Sequence, residues 1–126
     1  MAGDYFKWLE RRELEHTWVD AEPLANLQWA AVDLDGTLAQ GIWTPDNPTS
    51  KIGLPIWENV DKVLKLDAEG YKITIHTARG WTDYNNIERW LNHFQIPHRR
   101  IVCGKILAKV YIDDRALNAD AESWIP

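Results

Sequence analysis

The sequence predicts an α/β fold, a three-layer α/β/α sandwich around a mainly parallel sheet, in one domain over residues 1–126. Two observations carry this. From Trp29 onward, short apolar runs alternate with segments of helical periodicity, the pattern of successive βαβ units. The notable polar residues stand where those runs end: Asp33 and Asp35 after the first, Thr77 after the second, Asp113 and Asp114 after the last. Lys105 lies in the turn before that last run. Ligands of open parallel sheets bind at the carboxyl ends of the strands, so four segments deliver acid, hydroxyl and amine to one edge.

The elements follow in order. Tyr5, Trp8, Leu9, Leu14 and Trp18 fall on one side of a helix over 4–20, broken by Pro23; residues 1–27 read as a helical extension and 28–115 as the core. Trp29 to Val32 is a buried strand, and Gly36 permits a sharp turn after it. The stretch from Ala39 to Pro55 is a proline-rich loop or small hairpin. Ile56, Val60, Val63, Leu64 and Ala68 recur at helical spacing, with Gly70 placed to end the helix. Tyr71, Ile73 and Ile75 alternate with Lys72, Thr74 and His76 as in a strand. Thr82 is placed to cap a helix carrying Ile87, Trp90, Leu91 and Phe94. Arg100 to Cys103 and Leu107 to Ile112 read as two further strands, and the tail from Arg115 holds one helical turn.

Composition narrows the function classes. The 45% of hydrophobic residues supports an ordinary core for a single domain of 126 residues. A net charge of −5 argues against a protein whose main task is gripping nucleic-acid backbone. The lone Cys103 cannot form an internal disulfide and fits a reducing compartment. No apolar run reaches membrane-spanning length, so the expectation is a cytoplasmic protein without membrane contact, a monomer or small homo-oligomer.

The chemistry follows from residue types. Carboxylates gathered at one point make a hard oxygen site suited to Mg²⁺. An ionised aspartate can attack phosphorus. Asp35, two residues on, could give a proton to the leaving oxygen and take one from water. Thr37 and Thr77 offer hydroxyls, the Gly36 turn offers backbone N–H groups, and Lys105 offers positive charge where the transition state is negative. Arg79 either meets a substrate phosphate or pairs with an acid. Trp43, Trp57 and Trp81 line the site or fill the core.

The set VDLDGT (Val32 to Thr37), ITIHT (Ile73 to Thr77), Lys105 and YIDD (Tyr111 to Asp114) resembles, in order, the four motifs of the haloacid dehalogenase superfamily. The resemblance implies a Rossmann-like domain and Mg²⁺-dependent phosphoryl transfer. It implies Asp33 as nucleophile, Asp35 as acid/base, and Thr77 and Lys105 on the phosphoryl group. Leu34, Gly36, Thr37, Ala78 and Arg79 complete the substrate side. Asp33, the Asp35 carbonyl and Asp114 would hold the metal, with Asp113 close by. The second aspartate of the first motif favours the phosphatase branch. Only 27 residues separate Thr77 from Lys105, which leaves no room for a cap domain. The same motifs resemble the phosphatase half of phage-type polynucleotide kinases and small capless phage phosphatases. The expected partner is a phosphorylated substrate, either a small molecule or a nucleic-acid end.

Other readings weigh less. An EF-hand needs glycine sixth and glutamate twelfth, whereas counting from Asp33 the glycine is fourth and Thr44 is twelfth. Lys109 rivals Lys105 but lies within the expected strand. The alternative function is a non-catalytic phosphate- or protein-binding module on the same fold.

Overall fold

The computed structural model describes residues 28–126; the helix expected over 4–20 lies outside the described residues. Three strands, β1 (Trp29–Val32), β2 (Lys72–His76) and β3 (Arg100–Val102), form one parallel sheet in the order β1-β2-β3. Helix α1 (Trp57–Ala68) connects β1 to β2, and a 3₁₀ turn (Trp81–Asp83) followed by α2 (Tyr84–His93) connects β2 to β3. The register sets Ala30 beside Ile73, Val32 beside Ile75, and Ile75 beside Ile101.

Side chains alternate across a strand, so this register collects Val32, Ile73, Ile75 and Ile101 on one face. Val60, Val63 and Leu66 of α1 and Ile87 and Leu91 of α2 complete that core. Right-handed parallel crossovers put both helices on this same side. The other face carries Trp29, Ala31, Thr74, His76, Arg100 and Val102, which line an open concavity of about 590 Å³ together with Arg115. The described residues therefore make two layers rather than the three the sequence predicts.

Three local expectations need correction. Leu107 to Ile112 is not a strand: it has no sheet partner, and Ile112 is 96% exposed. A strand needs a ladder for its N–H and C=O groups, and apolar composition alone does not supply one. Thr82 lies inside the 3₁₀ turn rather than capping α2. The tail holds turns only, although Trp124 is buried and donates its indole N–H to the Ala119 carbonyl at 3.1 Å. Lys62 of α1 donates to that same carbonyl at 3.2 Å, which fastens the tail to the helix.

The loop between β1 and α1 is pinned at its base. Ala39 and Pro55 form an antiparallel bridge, Gln40 donates to the Leu54 carbonyl at 2.8 Å, and Ile56 donates to the Leu38 carbonyl at 2.7 Å. Gly53 sits so close to Gln40 that a Cβ would run into the Gln40 carbonyl. Trp90 of α2 holds the Gly53 carbonyl from the other side at 3.0 Å, which limits any retreat. Gly53→Ala is therefore expected to cost about 1–3 kcal/mol, the range for forced overpacking. A urea unfolding curve with lowered midpoint and unchanged slope checks this. Among the described residues, no helix is long and apolar enough to cross a membrane.

Candidate functional site

Asp33 is the first residue past β1, at the carboxyl edge of the sheet. Its side chain is 37% exposed. The Thr37 hydroxyl donates to Asp33 Oδ2 at 3.2 Å, and the Lys105 ammonium lies 3.8 Å from Oδ1. The chain reaches Thr37 by a tight turn, in which the Leu34 carbonyl accepts N–H groups from Thr37, Leu38 and Ala39. Gly36, at φ +79°, donates its N–H to the Ala39 carbonyl at 2.8 Å. The backbone N–H groups of Gly36 and Thr37 are thus spent inside the turn, contrary to the expectation that they cradle phosphoryl oxygens. Leu34 contributes a fully buried core side chain. Asn59 of α1 holds the turn from behind, donating to the Thr37 carbonyl at 2.7 Å.

Asp35 follows a different course. Both its oxygens accept from Arg79: Nε to Oδ2 at 2.9 Å and Nη2 to Oδ1 at 2.8 Å. This is the planar fork a guanidinium makes with a carboxylate. Arg79 Nη1 donates to Asp83 Oδ2 at 2.7 Å and to the Ser50 carbonyl at 2.6 Å. Arg79 is 1% exposed, so of the two roles open to it in the sequence it takes the acid pair, and it does not face solvent. Burial pulls its guanidinium down, but hydrogen bonds and charges from Asp35 and Asp83 outweigh that and hold it above its ordinary value. Sequence reasoning missed Asp83, although its i,i+4 spacing from Arg79 was a readable signal. The same carboxylate also accepts from Asn86 at 2.8 Å, so it is committed to tertiary contacts at the start of α2.

Thr77 is the first residue past β2 and is buried; its Oγ1 accepts the Arg79 backbone N–H at 3.1 Å. Its own backbone reaches β3 and the following turn: Thr77 N–H to the Val102 carbonyl at 2.9 Å, and Lys105 N–H to the Thr77 carbonyl at 2.9 Å. Gly104 donates to the Arg79 carbonyl at 2.8 Å. Ala78, half-buried, sits inside this lacing. These bonds carry Lys105 to Asp33 and Arg79 to Asp35, so residues from three segments meet at one edge.

Asp113 and Asp114 do not join them. Both are exposed, and Asp113 Oδ1 accepts the Arg115 backbone N–H at 2.8 Å. Among the described residues, no three His, Cys, Asp or Glu side chains gather closely enough to hold a metal ion. Asp33 and Asp35 instead face the cations of Lys105 and Arg79. Of the donor set expected for Mg²⁺, which is Asp33, the Asp35 carbonyl and Asp114 with Asp113 close by, the exposed Asp113 and Asp114 form no side-chain cluster with Asp33 among the described residues, so the set does not fit a metal site as arranged.

Comparisons with known proteins bear on the family. No family model matches the chain, and no curated protein does. A crystal structure of an MCSG target from Vibrio cholerae matches with 31% identity and a TM-score of 0.57, over 72% of this chain and 83% of that one. The chain belongs to the family of that Vibrio cholerae protein. Two structures of the Pnkp1/Rnl/Hen1 complex, one described as an RNA repair complex, match with 24% and 23% identity and TM-scores of 0.54 and 0.56. Each match covers 71% of this chain but only 32% and 30% of the other, so these two show a shared fold over about a third of a larger protein.

In this member of the Vibrio cholerae protein's family, the three tryptophans divide. Trp43 is half-buried and donates to the Pro48 carbonyl at 3.1 Å within the loop. Trp57 packs edge-on against Phe94 with centroids 5.9 Å apart, on the helix side. Trp81 is exposed beside Gly104 at the site's rim. Cys103 is buried, and burial first, then the Asp83 charge, pushes its thiol up, consistent with a quiet core residue.

His76 closes β2 next to the site. Burial lowers its pKa, the Lys105 charge lowers it further, and Asp33 opposes with a smaller upward pull. A folded value below the unfolded 6.5 means the unfolded chain binds the proton more readily. Stability from this group is present above pH 6.5 and is lost as pH falls through the folded value. His76→Asn is expected to flatten the stability–pH curve between neutral and mildly acidic pH, read from urea midpoints across that range.

Proposed function

We propose that the chain is a phosphomonoesterase of the haloacid dehalogenase type, with Asp33 as its nucleophile. The observation that carries this is the pairing at the sheet's carboxyl edge: a part-exposed Asp33 carboxylate with a threonine hydroxyl on one oxygen and a lysine ammonium 3.8 Å from the other. A carboxylate so placed can attack a phosphorus atom. The P–O bond to the leaving group breaks with its electron pair, and an aspartyl phosphate forms. Lys105 faces the negative charge that gathers on the phosphoryl oxygens. Water then attacks phosphorus, releasing phosphate and regenerating Asp33.

Asp35 is proposed as the proton-transfer group. A carboxylate has about four lone-pair sites, and Arg79 takes two, which leaves two to accept a proton from the attacking water. Protonating the leaving oxygen would require one of the Arg79 bonds to open. A Mg²⁺ requirement forms part of the proposal, and it would require Asp113 and Asp114 to approach Asp33. The substrate is a phosphomonoester: a nucleotide, a sugar phosphate or a nucleic-acid 3′-phosphate. The fold shared with chains of an RNA repair complex supports carrying the nucleic-acid end among these.

The rival is a phosphate- or protein-binding module without turnover, favoured by the exposed position of Asp113 and Asp114. The separating assay is hydrolysis of a chromogenic phosphomonoester, nucleoside monophosphates and 3′-phosphorylated DNA, with Mg²⁺ or with EDTA. Turnover that EDTA abolishes is expected, and Lys105→Met is expected to lower kcat about 10²- to 10³-fold. No turnover on any substrate would favour the binder. Equal turnover in EDTA would remove the metal from the proposal.

A further inference from the structure

The rim of the site carries an aromatic pair that the hydrolytic proposal does not use. Trp81 is 61% exposed in the 3₁₀ turn that follows β2. A singly exposed aromatic is ordinary, and Trp57 is exposed to the same degree; what sets Trp81 apart is its place at the site edge. Its ring is stacked on Tyr84, with centroids 6.1 Å apart and planes 19° from parallel. Tyr84 is itself packed against the hydrophobic core, so the indole is backed by a fixed ring. Its position is set relative to the reacting groups. The indole nitrogen lies 4.0 Å from where a Gly104 Cβ would stand, which is van der Waals distance and places the ring directly beside Gly104. Gly104 has φ +84° and donates to the Arg79 carbonyl, which ties its backbone to the segment carrying Trp81. The next residue is Lys105, whose ammonium faces Asp33. One Cα step, about 3.8 Å, thus separates the residue under the indole from the residue facing the nucleophile.

We propose that Trp81, braced by Tyr84, is a stacking platform for the nucleobase of the substrate, so that the phosphomonoester hydrolysed at Asp33 is a nucleotide or a nucleic-acid end. The inference rests on the hydrolytic reading for its chemistry, but the stacking itself does not depend on turnover. A flat aromatic surface is sequence-tolerant, because every base presents a π-face, and an exposed ring held rigid loses little freedom on binding. A substrate with no planar group would gain nothing from it. Lys105 and the indole would then read the two ends of one small unit, phosphate and base.

The test compares the unsubstituted chain with Trp81→Ala and Trp81→Phe on three phosphomonoesters: a nucleoside 3′-monophosphate, a short 3′-phosphorylated oligonucleotide and glycerol 2-phosphate, which has no base. Trp81→Ala is expected to raise KM for both base-bearing substrates about 5- to 160-fold, the span carried by stacking on one aromatic side chain. The kcat values and the constants for glycerol 2-phosphate are expected to stay within about twofold, and Trp81→Phe is expected to recover most of the loss. A KM that rises equally for glycerol 2-phosphate, or that moves for none of the three, overturns the proposal. A rise confined to the mononucleotide or to the oligonucleotide identifies which of the two supplies the base. Should the unsubstituted chain hydrolyse none of them, the hydrolytic reading fails separately. Calorimetric binding of the 3′-phosphorylated oligonucleotide then decides: weaker binding by Trp81→Ala but not by Trp81→Phe upholds the platform, and equal binding by all three chains overturns it.

Discussion

Replacing Arg79 by alanine is expected to lower the unfolding free energy by about 3–5 kcal/mol, the cost of stranding a buried charge without its partner. Two carboxylates lose their partner at once. The side chain of Asp83 is 2% exposed and that of Asp35 is 12% exposed, so water can rescue neither fully. The Ser50 carbonyl also loses its donor, which frees the middle of the loop between β1 and α1. Arg79→Lys is expected to recover only part of this, because an ammonium cannot span both oxygens of Asp35 as the guanidinium does. Urea unfolding of the three chains measures the effect. A loss under about 1 kcal/mol in Arg79→Ala would mean that the network is an unimportant surface feature.

Asp33→Asn is expected to abolish turnover while leaving the fold intact. Loss of the nucleophile costs on the order of 10⁶-fold in kcat in a serine protease, a loss that takes turnover below detection. The amide keeps the carboxylate's size and still accepts the Thr37 hydroxyl through its oxygen, so the local turn has no reason to move. The ammonium of Lys105, 3.8 Å away and part-exposed, loses only a screened attraction. Stability within about 1 kcal/mol of the unsubstituted chain, with hydrolysis absent, is the expected pair of results. Retained hydrolysis in this variant would exclude Asp33 as the nucleophile.

Much of the fold was legible because its periodicities are strong. The alternation over Lys72–His76 and the spacing of Val60, Val63 and Leu66 are dictated by which side chains must face one core, and both elements form where the pattern puts them. Leu107 to Ile112 misled for a physical reason. An apolar run states that a segment needs cover but not which edge will pair with it, and here the run is exposed. The site divides in the same way. Asp33 and Thr77 stand just past strand ends and Lys105 in the turn after β3, positions that sequence order fixes. Of the two acid partners of Arg79, Asp83 stands at a readable i,i+4 spacing, whereas Asp35 is 44 residues distant and only folding brings it within reach. The Gly36 and Thr37 amides were misread because a turn that tight uses its own donors. Asp113 and Asp114 carry a strong motif but depend on a strand that does not form among the described residues.

The most direct test is to quench the chain with acid during turnover of a phosphomonoester and to locate the phosphoryl group by peptide mass spectrometry. A phosphoryl group is expected on the peptide containing Asp33, and its loss is expected in Asp33→Asn. Turnover with no covalent phosphate on that peptide, or with phosphate on another side chain such as His76, would contradict it.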